Sequence, residues 1–166
     1  MTHQKNSHCS YCGHAFAPEQ PWPRRCAQCG NMTFQNPLPV TIVLVPVDDG
    51  VLVVRRAIEP RKGTYALPGG FIDLGETWQA AGAREVYEEA GVTIDPAQIE
   101  LVTVFSAPDG TLIVVGRAAP LAGADLPPFH GDGEADDRRV LTTPETLAWP
   151  LHTQAVAGYF AKTAAR

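Results

Sequence analysis

Glu85, Glu88 and Glu89 stand at i, i+3 and i+4 in the stretch Arg84-Glu-Val-Tyr-Glu-Glu-Ala-Gly91. At 3.6 residues per turn this spacing puts three carboxylates on one helix face within about one turn. Like charges so placed repel, and they raise one another's pKa, unless a positive partner is supplied from outside. A hard divalent cation is the natural partner. Mg2+, or Mn2+ in its place, takes oxygen ligands and keeps open positions for water and substrate phosphates. A solvated, charge-rich helix face is the alternative meaning of the same string.

All four cysteines fall in a second cluster, Cys9-Ser-Tyr-Cys12 and Cys26-Ala-Gln-Cys29, with Gly13 and Gly30 directly after the pairs. Two C-x2-C knuckles offer four thiolates to one tetrahedral Zn2+, which is the pattern of a zinc ribbon. Four sulfurs leave no position for substrate water, so the role expected of this site is folding rather than catalysis. A pair of disulfides in a secreted protein is the alternative; the polar start Met1 to His8 carries no signal-peptide pattern, and a cytoplasmic location is expected. His8 and His14 flank the first knuckle as bystanders. His3, His130 and His152 have no ligand-like spacing and are expected at the surface or as caps.

The glutamates need a helix to hold them. Thr77 is a suitable N-cap, Gly91 a suitable left-handed C-cap, and Ala80, Ala83, Val86 and Ala90 make the apolar face opposite the carboxylates. Before the helix, Pro68-Gly69-Gly70 and Gly75 allow a backbone carbonyl or amide to turn toward a metal or phosphate. Strands are expected at about 40–47 and 51–56, with Asp48-Asp49-Gly50 as the hairpin turn, then a loop at 57–64 and a short strand near 65–68. Beyond the helix, alternating stretches near 100–106 and 111–118 predict two strands and 123–137 a loop. The region near 143–162 reads as helical, split at Pro150. The order is that of an α+β domain. Asn36-Pro37-Leu38-Pro39 makes a short, stiff link, giving a ribbon over 1–35 and a second domain over 36–166.

From Gly70 to Val92 every fixed position of G-x5-E-x7-R-E-U-x-E-E-x-G-U is filled: Gly70, Glu76, Arg84, Glu85, Glu88, Glu89 and Gly91, with aliphatic Val86 and Val92. This segment resembles the box of Nudix hydrolases. The resemblance implies a mixed β-sheet packed between helices and metal-dependent cleavage of a nucleoside diphosphate linked to another group. It implies Glu85, Glu88, Glu89 and the Gly70 carbonyl as metal ligands, Glu85 as a water-activating base, Arg84 as the ion-pair partner that orients the glutamates, and Glu76 as support for the loop. Relatives also recruit a base from outside the box, for which Glu134 is the candidate here, with Asp137 and Asp109 behind it.

A ribbon before such a domain is similar to NAD(H) pyrophosphatases. Their Ser-Gln-Pro-Trp-x-Phe-Pro segment is replaced here by Phe105-Ser106-Ala107-Pro108-Asp109, and the run from Arg56 to Gly70 more closely resembles ribbon-bearing proteins associated with ADP-ribose or FAD. Arg56, Arg61 or Lys62 would hold the diphosphate and Tyr65 or Phe105 would stack a base. Hydrolysis of NAD(H), of an NAD-type RNA cap or of nucleoside triphosphates is the alternative, as is a noncatalytic binding module. At 166 residues and 45% apolar content the chain suffices for one core plus a metal-stapled module, and its apolar runs are too short to span a bilayer. The net charge of −5 argues against broad nucleic-acid binding, leaving a small nucleotide as the expected partner; the ribbon is also suited to building a homodimer interface.

Overall fold

The computed structural model describes residues 5–131 and 133–164. His3, and Asp132 of the expected loop, lie outside them. The chain divides into two compact units, Met1–Pro37 and Leu38–Arg166. No helix among the described residues is long and apolar enough to cross a membrane.

The first unit holds two short antiparallel strands, β1 (Arg24–Arg25) and β2 (Met32–Thr33). With so little regular structure its core is small: Cys9, Phe16 and Cys26 are buried, and Trp22 packs against them. Domains of this size need a staple beyond hydrophobic burial.

In the second unit the run Val40 to Val45 is apolar but for Thr41 and shows no alternation, the pattern of a strand buried on both faces. It lies in β3 (Leu38–Leu44), followed by β4 (Pro46–Val47), β5 (Gly50–Arg56), β6 (Tyr65–Ala66) and β7 (Gly69–Phe71). Helix α1 (Trp78–Ala90) then leads to β8 (Glu100–Ser106), β9 (Thr111–Arg117), β10 (Ala135–Leu141) and α2 (Pro150–Thr163). One sheet runs β7-β3-β9-β8, in which β3 and β9 are parallel and the other pairs antiparallel; the other runs β10-β5-β4, with β6 also on β5. Successive residues of the central strands serve opposite cores. Val43, Val45, Leu52 and Val54 pack with Val86 and Ala90 of α1, whereas Ile42, Leu44, Val51 and Val53 pack with Ala155 and Val156 of α2. Each such side chain contributes about 1.5–3 kcal/mol by leaving water. The result is the expected mixed sheet structure between helices.

Two expectations are corrected. The first is the loop at 123–137 and the helix from 143. Residues 135–141 form β10, and helix begins only at Pro150. The charged run Asp136-Asp137-Arg138-Arg139 hides the strand from any alternation test, yet pairing with β5 across Ala135↔Arg56 to Leu141↔Val51 imposes it. Its charges are met locally: Arg55 pairs Asp136 at 2.7 Å and Arg139 pairs Glu145 at 2.6 Å. Pro150 opens α2 rather than splitting it, since the missing N–H costs nothing at a first helical position. The second correction concerns the hairpin, where Val47↔Gly50 pairing leaves Asp48-Asp49 as the turn, Gly50 already being in the strand.

Candidate active site

Helix α1 begins as its sequence dictates. The Thr77 hydroxyl accepts from the Ala80 N–H at 3.1 Å, and Gly91 at φ 66° ends the helix in the left-handed region. The face toward the core is made by Ala81, Gly82, Val86 and Ala90, with Ala80 and Ala83 only half-buried. Glu89 is buried as well, at 7% exposure, so the carboxylate face is not wholly solvated.

Arg84 organises that face. Its Nε and Nη2 donate to the two Glu76 oxygens at 3.0 Å each, and Nη1 donates to Glu85 Oε1 at 2.7 Å and Glu88 Oε2 at 3.0 Å. Nη2 also donates to the Phe71 carbonyl at 3.1 Å, so all five guanidinium N–H groups are engaged. The Glu76 carboxyl is held below its ordinary range by this pairing and by the Asp73 amide. Glu85 is pushed upward because burial outweighs Arg84, with Glu88 and Glu134 adding repulsion.

Gly69 and Gly70 before the helix, which stand in β7 rather than in a loop, meet the carboxylates through their backbone. The Gly69 N–H donates to Glu89 Oε2 at 3.0 Å. A Cβ on Gly70 would lie 2.5 Å from Glu85 Oε1, so only glycine leaves the space in front of that carboxylate open. Four carboxylates against one guanidinium leave a formal charge of −3 (four negative, one positive) around an open backbone niche, a hard-oxygen donor set that fits Mg2+ or Mn2+. The three helix carboxylates are not gathered on one point; among the described residues only the cysteines form so tight a group.

This niche opens on a cavity of about 1600 Å³. Glu85, Glu88, Glu89, Gly70, Arg84, Glu134, Asp109 and Arg56 all line it. Glu134 is fixed through its carbonyl, which accepts from the Ala57 N–H at 2.7 Å beside Arg56. Arg61 and Tyr65 are not among the lining residues. Arg61 sits in a turn at φ 66°, and Tyr65 packs on the core, donating its hydroxyl to Asp137 beneath the Arg139 guanidinium. Glu76 stands behind Arg84 rather than on the cavity wall. Asp137, with its carboxyl drawn down by the Tyr65 hydroxyl, is likewise absent from the wall.

Sequence reasoning missed two wall residues. His152, expected at the surface or as a cap, is buried, and Trp149 lies against it, tilted by 41°, at 4.9 Å between ring centroids. Arg56 lies over the Trp149 ring at 4.7 Å. The Leu67 N–H donates to His152 Nδ1 at 3.2 Å, which leaves the proton on Nε2. Burial, then the charge of Arg56, lowers the His152 pKa to about 4. Neither residue carries a spacing signal; the α2 start at Pro150 is the only local hint.

In the first unit the knuckles repeat one geometry. Gly13 N–H donates to Cys9 O at 2.9 Å and Gly30 N–H to Cys26 O at 3.0 Å, both glycines at φ near +75°. Amides of Tyr11 and Cys29 approach the Cys9 and Cys26 sulfurs at 3.5 Å. Amides of Cys12 and Tyr11 bring the Cys9 thiol down to about 6. Cys12 is pulled down by the His14 amide, but desolvation and the other thiols outweigh this and push it up to about 12. All four sulfurs lie within 4.8 Å of one another, which fits a tetrahedral thiolate site. His8 is engaged by the Ser7 hydroxyl at 2.8 Å and does not join them.

The NUDIX domain profile matches residues 36–160. This chain belongs to the NUDIX family. It is 33% identical over 124 residues to the NAD-capped RNA hydrolase NudC of Edwardsiella ictaluri, a match covering 74% of this chain and 47% of that protein. To NudC of Klebsiella pneumoniae it is 30% identical over 168 residues, covering 93% and 62%. The chain thus spans between about half and three-fifths of the length of these relatives. Among solved structures, a NUDIX hydrolase from Nitrosomonas europaea superposes with TM-score 0.80 at 26% identity, covering 96% of this chain and 93% of that one. A bifunctional NMN adenylyltransferase/ADP ribose pyrophosphatase from Francisella tularensis, complexed with AMP and manganese, gives TM-score 0.58 at 25% identity over 79% of this chain and 41% of that one. The NUDIX fold and the clustering of the four cysteines read from the sequence therefore hold.

Proposed function

We propose that this NUDIX protein cleaves the diphosphate bridge of a nucleoside diphosphate joined to a second group, of the ADP-ribose or FAD type. One observation carries the reading: the carboxylates of α1 and the bare backbone of Gly70 share a single cavity of about 1600 Å³ with Arg56 and Trp149. That volume exceeds the roughly 300–1000 Å³ of a common small-molecule pocket and suits a substrate with a group on each side of its diphosphate.

Glu85, Glu88, Glu89 and the Gly70 carbonyl would hold Mg2+ or Mn2+, which when bound polarises a phosphoryl oxygen and offsets charge as the bridge breaks. Arg84 and Glu76 fix the carboxylates, Arg56 grips the diphosphate oxygens, and Glu134 accepts a proton from the attacking water. Cys9, Cys12, Cys26 and Cys29 would hold a structural Zn2+ within a ribbon over 1–35, the hydrolase domain covering 36–166. A second reading, attack on an NAD-type diphosphate, free or at an RNA end, is favoured by the names of the NudC relatives.

Hydrolysis of ADP-ribose, FAD, NADH and NAD with Mg2+ or Mn2+, beside Glu89→Gln, tests the proposal. Glutamine keeps an oxygen for the Gly69 N–H and removes the charge. Turnover lost in the variant supports the site, and wild-type-like rates overturn it. The ranking of substrates decides between the two readings.

A further inference from the structure

His152 turns toward the cavity a ring donor that no described residue accepts from. Its Nδ1 takes the Leu67 N–H at 3.2 Å, so Nε2 carries the proton. The side chain is only 6% exposed, no described residue pairs with Nε2, and the residue lines the cavity. A donor held on a cavity wall with no protein partner is open to an acceptor on a ligand. Beside it stand Trp149, at 4.9 Å and 41° to the imidazole, and Arg56, at 4.7 Å over the indole. Arg56 is itself held, its Nε donating to the Pro60 carbonyl at 2.8 Å. Guanidinium planes and indoles are the surfaces on which nucleobases stack.

We infer that Arg56, Trp149 and His152 form the base-recognition end of the cavity: a planar heteroaromatic ring lies against the Arg56–Trp149 pair while His152 Nε2–H donates to a ring acceptor. This rests on the nucleotide reading above and deepens it: the base lies at the start of α2, Arg56 serves both the base and the adjoining diphosphate, and the α1 carboxylates act on that diphosphate through the cation they would hold. Adenine supplies both features required, a flat π-face and ring nitrogens that accept. A sugar phosphate alone supplies neither.

The test is calorimetric binding of AMP and of ribose 5-phosphate to the full chain in EDTA, so that no turnover is needed. Wild type is expected to prefer AMP by roughly tenfold or more, in line with a stacked base plus one hydrogen bond. His152→Asn keeps an acceptor for the Leu67 N–H and deletes the Nε2 donor; Trp149→Ala removes the platform. Both are expected to lose most of the preference while binding of ribose 5-phosphate stays unchanged, with folding verified by thermal melting. Equal affinity of wild type for the two ligands overturns the inference, as does a preference that survives in both variants. Because binding is read without catalysis, absence of hydrolysis counts against the functional reading alone, and a preference indifferent to these residues counts against this one alone.

Discussion

Gly70 and Glu85 are packed so closely that a methyl group on the glycine would lie 2.5 Å from the carboxylate oxygen Oε1. The φ of Gly70 is not positive, so alanine is tolerated by the backbone and only the carboxylate must move. Gly70→Ala is therefore expected to lower kcat by roughly 10²-fold, the effect of displacing a catalytic group by about an ångström. A melting temperature close to wild type should accompany the loss, and an unimpaired kcat would show that Glu85 need not stand where it does.

Arg84 spends every guanidinium N–H on Glu76, Glu85, Glu88 and the Phe71 carbonyl. Lysine keeps the charge but cannot reproduce the fork. Arg84→Lys should destabilise the protein by roughly 1–3 kcal/mol in urea unfolding, most of it from the Glu76 and Glu85 contacts, since Glu88 is half-exposed and adds little. Turnover should fall further than stability explains.

His152 ties stability to pH. Its folded pKa of about 4 lies below the unfolded value of 6.5. The unfolded chain therefore binds more protons between them; stability is full above pH 6.5 and is lost as pH falls through 4. The loss from this group is on the order of 3 kcal/mol. Urea titrations from pH 7 to pH 4 should show a steeper decline in wild type than in His152→Asn; parallel curves would assign the acid sensitivity elsewhere.

Modification of the thiols with a mercurial is expected to release one zinc per chain, and Cys12→Ser to abolish tight binding, given about 10–16 kcal/mol of apparent energy in a four-thiolate site. Trp22 meets Phe16 edge-on at 6.1 Å, so the near-ultraviolet dichroism of the first unit should fade in parallel. Retention of that signal in metal-free protein would show that the fold needs no ion.

Glu134→Gln tests the proton acceptor. A base contributes about 10²–10⁴-fold, so kcat should drop by that order and the acidic limb of its pH profile should flatten. If Glu85→Gln alone flattens the limb, the base is in the helix.

The helix and its caps were legible because their signals are local. The Thr77 hydroxyl accepts from an amide three residues on, the Gly91 amide donates to a carbonyl four residues back, and the spacing of the glutamates follows from the helical repeat alone. What escaped is long-range. Strand β10 is written in four consecutive charges and exists because β5 offers it a partner, with Arg55 and Glu145 meeting its side chains. His152 and Trp149 enter the cavity through the packing of α2 on the sheet, which no spacing within α2 encodes. Tyr65 looked available for stacking until the distant Asp137 and Arg139 occupied its hydroxyl and its ring.

The two sheets divide the cavity between them. Gly70 belongs to the sheet of β7 and β3, while Arg56 and the residue after Glu134 belong to that of β5 and β10. The first side is frozen: a bare Cα against a carboxylate and a saturated guanidinium leave no tolerance for change. The second includes an exposed loop, in which Pro127, Pro128 and His130 reach the wall. Diversity introduced at Pro127, Pro128 and His130, exposed on the cavity wall, should therefore alter which group is bound while the carboxylate niche is inherited intact, making this chain a candidate starting point for evolving new nucleotide specificities.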